Sequence, residues 1–168
     1  MNRRTFLAYT ATGAALAMLS ACGFHLRGSN GEADLPFKTI LLGFPDTSTL
    51  GAELKRNVRA NGTAVVTDPK LAEAIFEVLS ETREKIILSL SSTGRVREYT
   101  LYYKLKFRVK NNQDRELLAP VEIALKRDIS FNDSQVLAKE AEEGLLYRDM
   151  QSDMVQQILR RMAALKPR

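Results

Sequence analysis

The sequence predicts an α+β fold, a two-layer α/β sandwich in which two helices pack on one face of a mostly antiparallel four-stranded sheet. Two long stretches, residues 96–110 and 116–131, alternate apolar and polar side chains with the period of two that is typical of strands. Two other stretches repeat apolar residues every three or four positions, as amphipathic helices do. The predicted elements follow the order β-α-β-β-β-α.

The folded part begins with a strand and a helix. The strand is the apolar stretch "FKTILLGF" (37–44), which ends where Pro45 follows Gly43. Residues 47–49 are candidate N-caps for the helix, and Gly62 is suited to the C′ position just after its end. The apolar face of this helix repeats at intervals of four residues: Leu50, Leu54 and Val58.

The middle of the chain is predicted to be strands. Asp68-Pro69 separates a short strand at 64–66 from a longer one at 74–90. The next strand turns its apolar side chains to one face: Tyr99, Leu101, Tyr103, Leu105, Phe107 and Val109. After a turn at 111–114, the alternation resumes and predicts an antiparallel hairpin, with one face made by Leu117, Ala119, Val121, Ile123 and Leu125.

A row of cations lies on the other face of the first hairpin strand: Lys104, Lys106, Arg108 and Lys110. Two interpretations stay open at this point. The row is an ordinary solvated sheet face, or it contacts phosphates through charge-assisted hydrogen bonds.

The chain closes with a long amphipathic helix that Pro167 ends. Its apolar stripe repeats every three or four residues: Tyr147, Met150, Met154, Ile158, Met162 and Leu165. Acidic residues lie early in this helix and basic residues late, which suits the helix dipole. We interpret the methionine stripe as core packing.

The N-terminus has the parts of an export signal. Arg3 and Arg4 precede an apolar run that is too short to span a bilayer, and Leu19-Ser20-Ala21-Cys22 matches a bacterial lipobox. We expect a signal peptide at 1–21, a lipid on Cys22, a tether at 22–36 and a folded domain at 37–168. A plain signal peptide with an incidental Cys is the alternative. Gly23 after the lipidated residue favours sorting to the outer membrane, and "NRRTFLAY" resembles a twin-arginine export signal.

Composition argues against catalysis. The single histidine, His25, lies three residues from the expected anchor, where nothing rigid would position it for a catalytic triad. One His and one Cys do not make a zinc site, and the chain has no phosphate-binding loop. We therefore expect no enzyme activity, no metal and no cofactor. Removing residues 1–21 takes away Arg3 and Arg4 and lowers the formal charge from +5 to +3. This modest positive charge does not identify a partner, and we expect none among nucleic acids.

Several segments together resemble the LptE family of lipopolysaccharide-assembly lipoproteins. They are "CGFHLRG" after the lipobox, "LKRNVRANG", "GRVREYTLYYKLKFRV" and "LAPVEIALKRDISFNDSQVLAKEAE". The resemblance implies an outer-membrane lipoprotein that sits in the lumen of the β-barrel LptD, helps that barrel assemble and binds lipopolysaccharide during its insertion. It also implies two helices on a four-stranded sheet, with 64–66 as an accessory strand.

Because lipid A offers phosphates, we hypothesise that Arg95, Arg97, Lys126 and Lys139 make cationic contacts to lipopolysaccharide. Lys139 matches a basic residue that the family has at the start of the last helix. The family has a second basic residue just before the β-turn at Gly94, but this sequence has Ser92 there. Two alternatives remain. The basic face is instead matched to acidic residues of the barrel lumen, or the chain is a periplasm-facing scaffold of the pilotin or cell-wall-binding kind.

Overall fold

The computed structural model describes residues 35–165. Its strands are β1 (Thr39–Gly43), β2 (Ala64–Val65), β3 (Ala74–Leu90), β4 (Val96–Lys110) and β5 (Glu116–Ser130). Its helices are α1 (Thr49–Ala60) and α2 (Val136–Ala163), and short 3₁₀ turns occupy Pro69–Leu71 and Asp133–Gln135. The predicted signal peptide, the expected lipidation site Cys22, His25 and the predicted helix stop at Pro167 lie outside the described residues.

The strands form one sheet in the order β2-β1-β3-β4-β5. β1 runs parallel to both of its neighbours, whereas β3, β4 and β5 are antiparallel to one another. The predicted α+β class is therefore confirmed, and the predicted hairpin is present. The short strand predicted at 64–66 pairs with β1 as the outermost strand, so the sheet has five strands where four were expected.

The core lies between one face of the sheet and both helices. β4 is its centre, because five of its odd-numbered side chains are fully buried: Leu101, Tyr103, Leu105, Phe107 and Val109. The predicted apolar faces of the helices cover them, with Leu50, Leu54 and Val58 from α1 and Met150, Met154, Ile158 and Met162 from α2. Leu35, in the stretch expected to be a tether, is also buried in this core.

Helix α1 is fixed at both ends by its own sequence. The Ser48 hydroxyl accepts a hydrogen bond from the Gly51 backbone N–H at 3.0 Å, as an N-cap does. Gly62, with φ of +77°, follows the C-cap Asn61 in the left-handed conformation that favours glycine. Gly51 packs on Phe44 so closely that a Cβ there would lie 2.6 Å from that side chain.

The predicted alternation at the start of β5 is wrong. Phe107 pairs with Val121, but Val109 pairs with Leu118, so β5 carries an extra residue between these two pairs. Pro120 lies within this bulge, where a residue without an N–H is tolerated. The bulge takes Ala119 out of the predicted core face and leaves it exposed.

The cationic row on the open face of β4 is largely paired with carboxylates. The Lys104 ammonium lies 3.0 Å from Glu84, Arg108 donates to Glu77 at 2.6 Å, and Lys110 lies 2.7 Å from Asp114. Within residues 35–165, Lys106 alone of the four has no ion pair. This pairing favours the first of the two interpretations, a solvated face of cross-strand charges, for the other three cations.

Tyr103 brings a polar group into the core. Its Oη donates a hydrogen bond to Glu81 at 2.7 Å and accepts one from Arg83 at 3.1 Å. Burial raises the pKa of Tyr103 to about 12, so the hydroxyl keeps its proton as donor at neutral pH.

Truncation of a core leucine on β4 tests the assigned core. Leu105→Ala should lower the free energy of unfolding by about 2–5 kcal/mol, because a fully buried side chain leaves a cavity. Leu71→Ala is the matched control; Leu71 is 65% exposed, and its truncation should change stability by less than about 0.5 kcal/mol. Urea denaturation of the mature chain measures both, and equal effects would contradict the assigned core.

The Glu77–Arg108 pair makes stability depend on pH. The hydrogen bond from Arg108 lowers the pKa of Glu77 below its usual 4.5 in the folded state. On acidification, Glu77 therefore takes up a proton in the unfolded chain before it does so in the folded chain. The pair stabilises the fold fully above pH 4.5, and this stabilisation is lost as pH falls through the lower pKa of folded Glu77.

Glu77→Gln should accordingly make the fall of melting temperature with acidification shallower. Glu122→Gln, on the same face but without an ion pair among the described residues, is the control and should leave the acid slope nearly unchanged. Identical slopes in the Glu77 variant and the unmodified chain would contradict the assigned pairing.

Candidate functional site

The end of the sheet farthest from β1, which we call the tip, is built by the β3–β4 turn, the end of β5 and the start of α2. The turn closes through a hydrogen bond from the Ser91 N–H to the Arg95 carbonyl at 2.7 Å. Gly94, with φ of +78°, supplies the left-handed residue that this turn requires. The Phe131 N–H donates to the Arg97 carbonyl at 2.7 Å, which brings the end of β5 beside the turn.

The first turn of α2 is held to the same end of the sheet. The Asn132 side chain caps the 3₁₀ turn by accepting a hydrogen bond from the Ser134 N–H at 3.0 Å. Lys139 then reaches back, and its Nζ donates to the Ser130 hydroxyl at 2.9 Å and to Glu142 at 2.8 Å. The tip therefore brings together three of the four cations predicted to contact lipopolysaccharide: Arg95, Arg97 and Lys139.

The fourth predicted cation, Lys126, lies elsewhere. It is opposite Tyr102 on β5, four residues before Ser130, which is about 13 Å along an extended strand. Tyr102 belongs to the sheet face turned away from the helices, and directly opposed residues share a face. The structure thus separates Lys126 from the other three.

The cations of the tip differ in how firmly they are held. Lys139 is only 17% exposed and has two oxygen partners, so its ammonium has a defined position. Arg95 approaches Asp133 at 3.8 Å with both side chains largely exposed, an arrangement that contributes little. Within the described part of the chain, Arg97 has no carboxylate within ion-pair distance. Two guanidinium groups of the tip are therefore accessible to an anion.

Exposed apolar side chains accompany these cations. Six of them, from 40% to 82% exposed, lie at the tip: Ile86, Ile87, Leu88, Leu90, Val136 and Leu137. We call them the apolar tip cluster. Sequence reasoning missed this cluster, although the consecutive residues 86–88 break the alternation of a strand with one solvated face. Because successive strand residues point to opposite faces, these side chains share one end of the sheet and not one face. Several large apolar side chains exposed at one end of a fold mark a candidate binding surface.

The tip thus combines accessible cations with accessible apolar surface. Such a surface suits an amphiphile that carries anionic groups beside hydrocarbon chains. Neither helix among residues 35–165 is both long enough and apolar enough to cross a bilayer. The same residues contain no group of three or more His, Cys, Asp or Glu side chains arranged to hold a metal ion.

The chain is similar in sequence and in fold to known lipoproteins. The chain is 24% identical over 155 residues to the LPS-assembly lipoprotein LptE of Pectobacterium atrosepticum, covering 91% of this chain and 83% of that protein. The solution structure of lipoprotein B from Nitrosomonas europaea is 43% identical, with a TM-score of 0.72, and the match covers 84% of this chain and 91% of that one.

A third relative has the same fold. The crystal structure of rare lipoprotein B from Shewanella oneidensis is 28% identical with a TM-score of 0.66, over 75% of this chain and 94% of that one. The family model described as "LptE: Lipopolysaccharide-assembly" matches residues 37–162, which is most of the chain and includes all five strands, α1 and all but the last residue of α2. The chain therefore belongs to the LptE family of lipopolysaccharide-assembly lipoproteins.

Proposed function

We propose that this protein is an outer-membrane lipoprotein, anchored through Cys22, that binds lipopolysaccharide at its tip and occupies the lumen of the LptD barrel. In this proposal residues 1–21 are removed, residues 22–36 connect the lipid to the fold, and residues 37–168 carry the function from the periplasmic side. Family membership supports a role in lipopolysaccharide assembly, and it supports a binding and assembly role without catalysis.

One observation carries the glycolipid part of the proposal: the tip places Arg95, Arg97 and Lys139 at the same end of the fold as the apolar tip cluster. Lipopolysaccharide offers phosphates to the cations and acyl chains to the apolar side chains. Each charge-assisted hydrogen bond to a phosphate contributes about 1.5–3 kcal/mol when partly desolvated. Apolar contact adds about 25 cal/mol for each Å² removed from water.

The barrel part of the proposal fits the open sheet face. Three cations of that face are already neutralised by neighbouring carboxylates, so a lumen wall of either charge can approach it with little repulsion. Because these cations are already paired, the open sheet face is poorly suited to bind several phosphates of a glycolipid. We therefore assign glycolipid binding to the tip. Binding at the tip would also let the protein compete with the divalent ions that bridge glycolipid phosphates.

Charge reversal at the tip tests the glycolipid site. The double variant Arg95→Glu and Lys139→Glu should weaken binding of purified lipopolysaccharide by at least about tenfold, because each lost contact exceeds roughly 1.4 kcal/mol. Equilibrium binding of labelled lipopolysaccharide to the mature chain is the measurement. Arg115 is an exposed arginine in the turn after β4. The control variant Arg115→Glu makes the same charge change as one of the two tip substitutions, and it should bind lipopolysaccharide normally.

Lys126→Glu marks the boundary of the site. Because Lys126 lies about 13 Å from the end of β5, its reversal should weaken binding less than reversal of Lys139. Normal binding by the Arg95–Lys139 double variant would remove the glycolipid site from the tip. Normal surface lipopolysaccharide in cells depleted of the protein would argue instead for the scaffold alternative.

A further inference from the structure

The outer edge of β3 has no strand beside it for most of its length. β1 pairs with β3 only over Ala74–Glu77, whereas β3 continues to Leu90. From Ser80 to Ile87 the pairing of β3 with β4 is regular, with register shifts only before and after this segment. Eight consecutive residues therefore present one straight edge, which we call the free edge. An unpaired edge of this kind is a template for another strand.

The opposite edge of the sheet, which β5 forms, is interrupted near the start of that strand. β5 carries Pro120 and two register shifts between its pairs with Phe107 and Lys110, which interrupt its outer hydrogen-bonding groups. The free edge, "SETREKII", contains no proline and no bulge. The rest of β5, Val121–Ser130, pairs with β4 without a register shift, so regular pairing by itself does not single out the free edge.

A groove of about 620 Å³ runs beside the free edge on the helix side of the sheet. Arg83 of the free edge forms part of its lining, together with α1 and α2. Three arginines line this groove, one from each element: Arg56, Arg83 and Arg148. Tyr147 borders it, and its Oη donates to the Glu84 carbonyl at 3.1 Å, which ties α2 to the strand.

The guanidinium of Arg83 is positioned by neutral groups. Its Nη2 donates to Tyr103 Oη at 3.1 Å and to Gln151 Oε1 at 3.2 Å, and the group lies 4.4 Å from the centre of the Tyr103 ring. Gln151 is itself fixed, because it accepts from Thr49 and donates to Glu53 at 2.6 Å. Among residues 35–165 Arg83 makes no direct ion pair, and the Glu81 carboxylate is linked to it only through the Tyr103 hydroxyl.

The groove keeps an excess of positive charge. Its single carboxylate, Glu53, has both oxygens engaged by Gln151 and Ser152. Among residues 35–165 no carboxylate lies within 4.0 Å of the three lining arginines, although the charged residues of the open sheet face are extensively paired. An accessible cluster of arginines is suited to an anion with two acceptor oxygens, such as a carboxylate.

We propose that the free edge and the arginine groove together dock an extended, acidic segment of the barrel partner. The segment adds as a strand along Ser80–Ile87 and places a carboxylate on Arg83, with Arg56 and Arg148 beside it. Repeated backbone N–H and C=O groups are matched by another polypeptide, which favours a protein segment over a glycolipid phosphate here. This inference rests on the proposed barrel partnership and adds the element that makes the contact.

Hydrogen exchange tests the added strand. The mature chain is compared alone and in purified complex with the LptD protein of the same organism, and exchange is followed in peptides covering residues 80–87. Backbone pairing should slow exchange of the outward-facing amides of this segment at least tenfold in the complex. Unchanged exchange there, in a complex that does form, would overturn the inference while leaving the proposed function intact.

Charge reversal tests the groove independently of the strand. The double variant Arg56→Glu and Arg148→Glu should weaken the complex at least tenfold, and it spares the hydrogen bonds of Arg83 inside the fold. Arg83→Glu should have a similar effect, and Arg115→Glu should have none. Melting temperatures of the isolated variants show whether any loss comes from unfolding.

Two further results would each contradict the docking proposal. If the groove variants bind the barrel normally but lose lipopolysaccharide, the groove is a phosphate site and the docking proposal is wrong. If the unmodified chain forms no complex with the barrel, the proposed partnership fails and this inference fails with it.

Discussion

The register of β4 is the constraint on which the rest of the fold depends. Its odd-numbered side chains fill the core between sheet and helices, and its even-numbered side chains form the charged open face. A slip of one residue would bury Lys104 and Lys106 and expose Leu105 and Phe107, which exchanges apolar burial for buried charge. Because β3 and β5 both pair with β4, this one strand also fixes where each neighbour begins, bends and ends.

The surfaces of interest arise because the layers differ in length. β3, β4 and β5 each have fifteen or more residues, whereas β1 has five and α1 has twelve. The short elements cover one end of the sheet and leave the other end to α2 alone. The exposed tip and the free edge of β3 both follow from this mismatch, so the fold leaves accessible the surfaces to which we assign binding.

The sequence was sufficient where the signal was local. The period of two in β4 and the spacing of four through Leu50, Leu54 and Val58 predicted the elements and the core faces correctly. It was insufficient where residues far apart in the chain meet. Glu77 and Arg108 pair across strands, and Arg83 meets Gln151 of α2, so neither the neutralised face nor the groove has a sequence pattern. Pro120 is itself a local signal for a bulge, but the period of two over residues 117–125 predicted an uninterrupted strand face there.

Gly51 has a consequence for how the two layers are joined. Its backbone rests on Phe44, whose ring stacks on Phe76 at 5.4 Å, and Phe76 stacks on Phe107 at 4.6 Å. A column of three aromatic rings thus connects the first turn of α1 to the centre of the sheet. Even one added methyl group at residue 51 would act as a spacer under that helix and tilt it. The seating of α1 on the sheet, and with it the position of Arg56, depends on a side chain being absent.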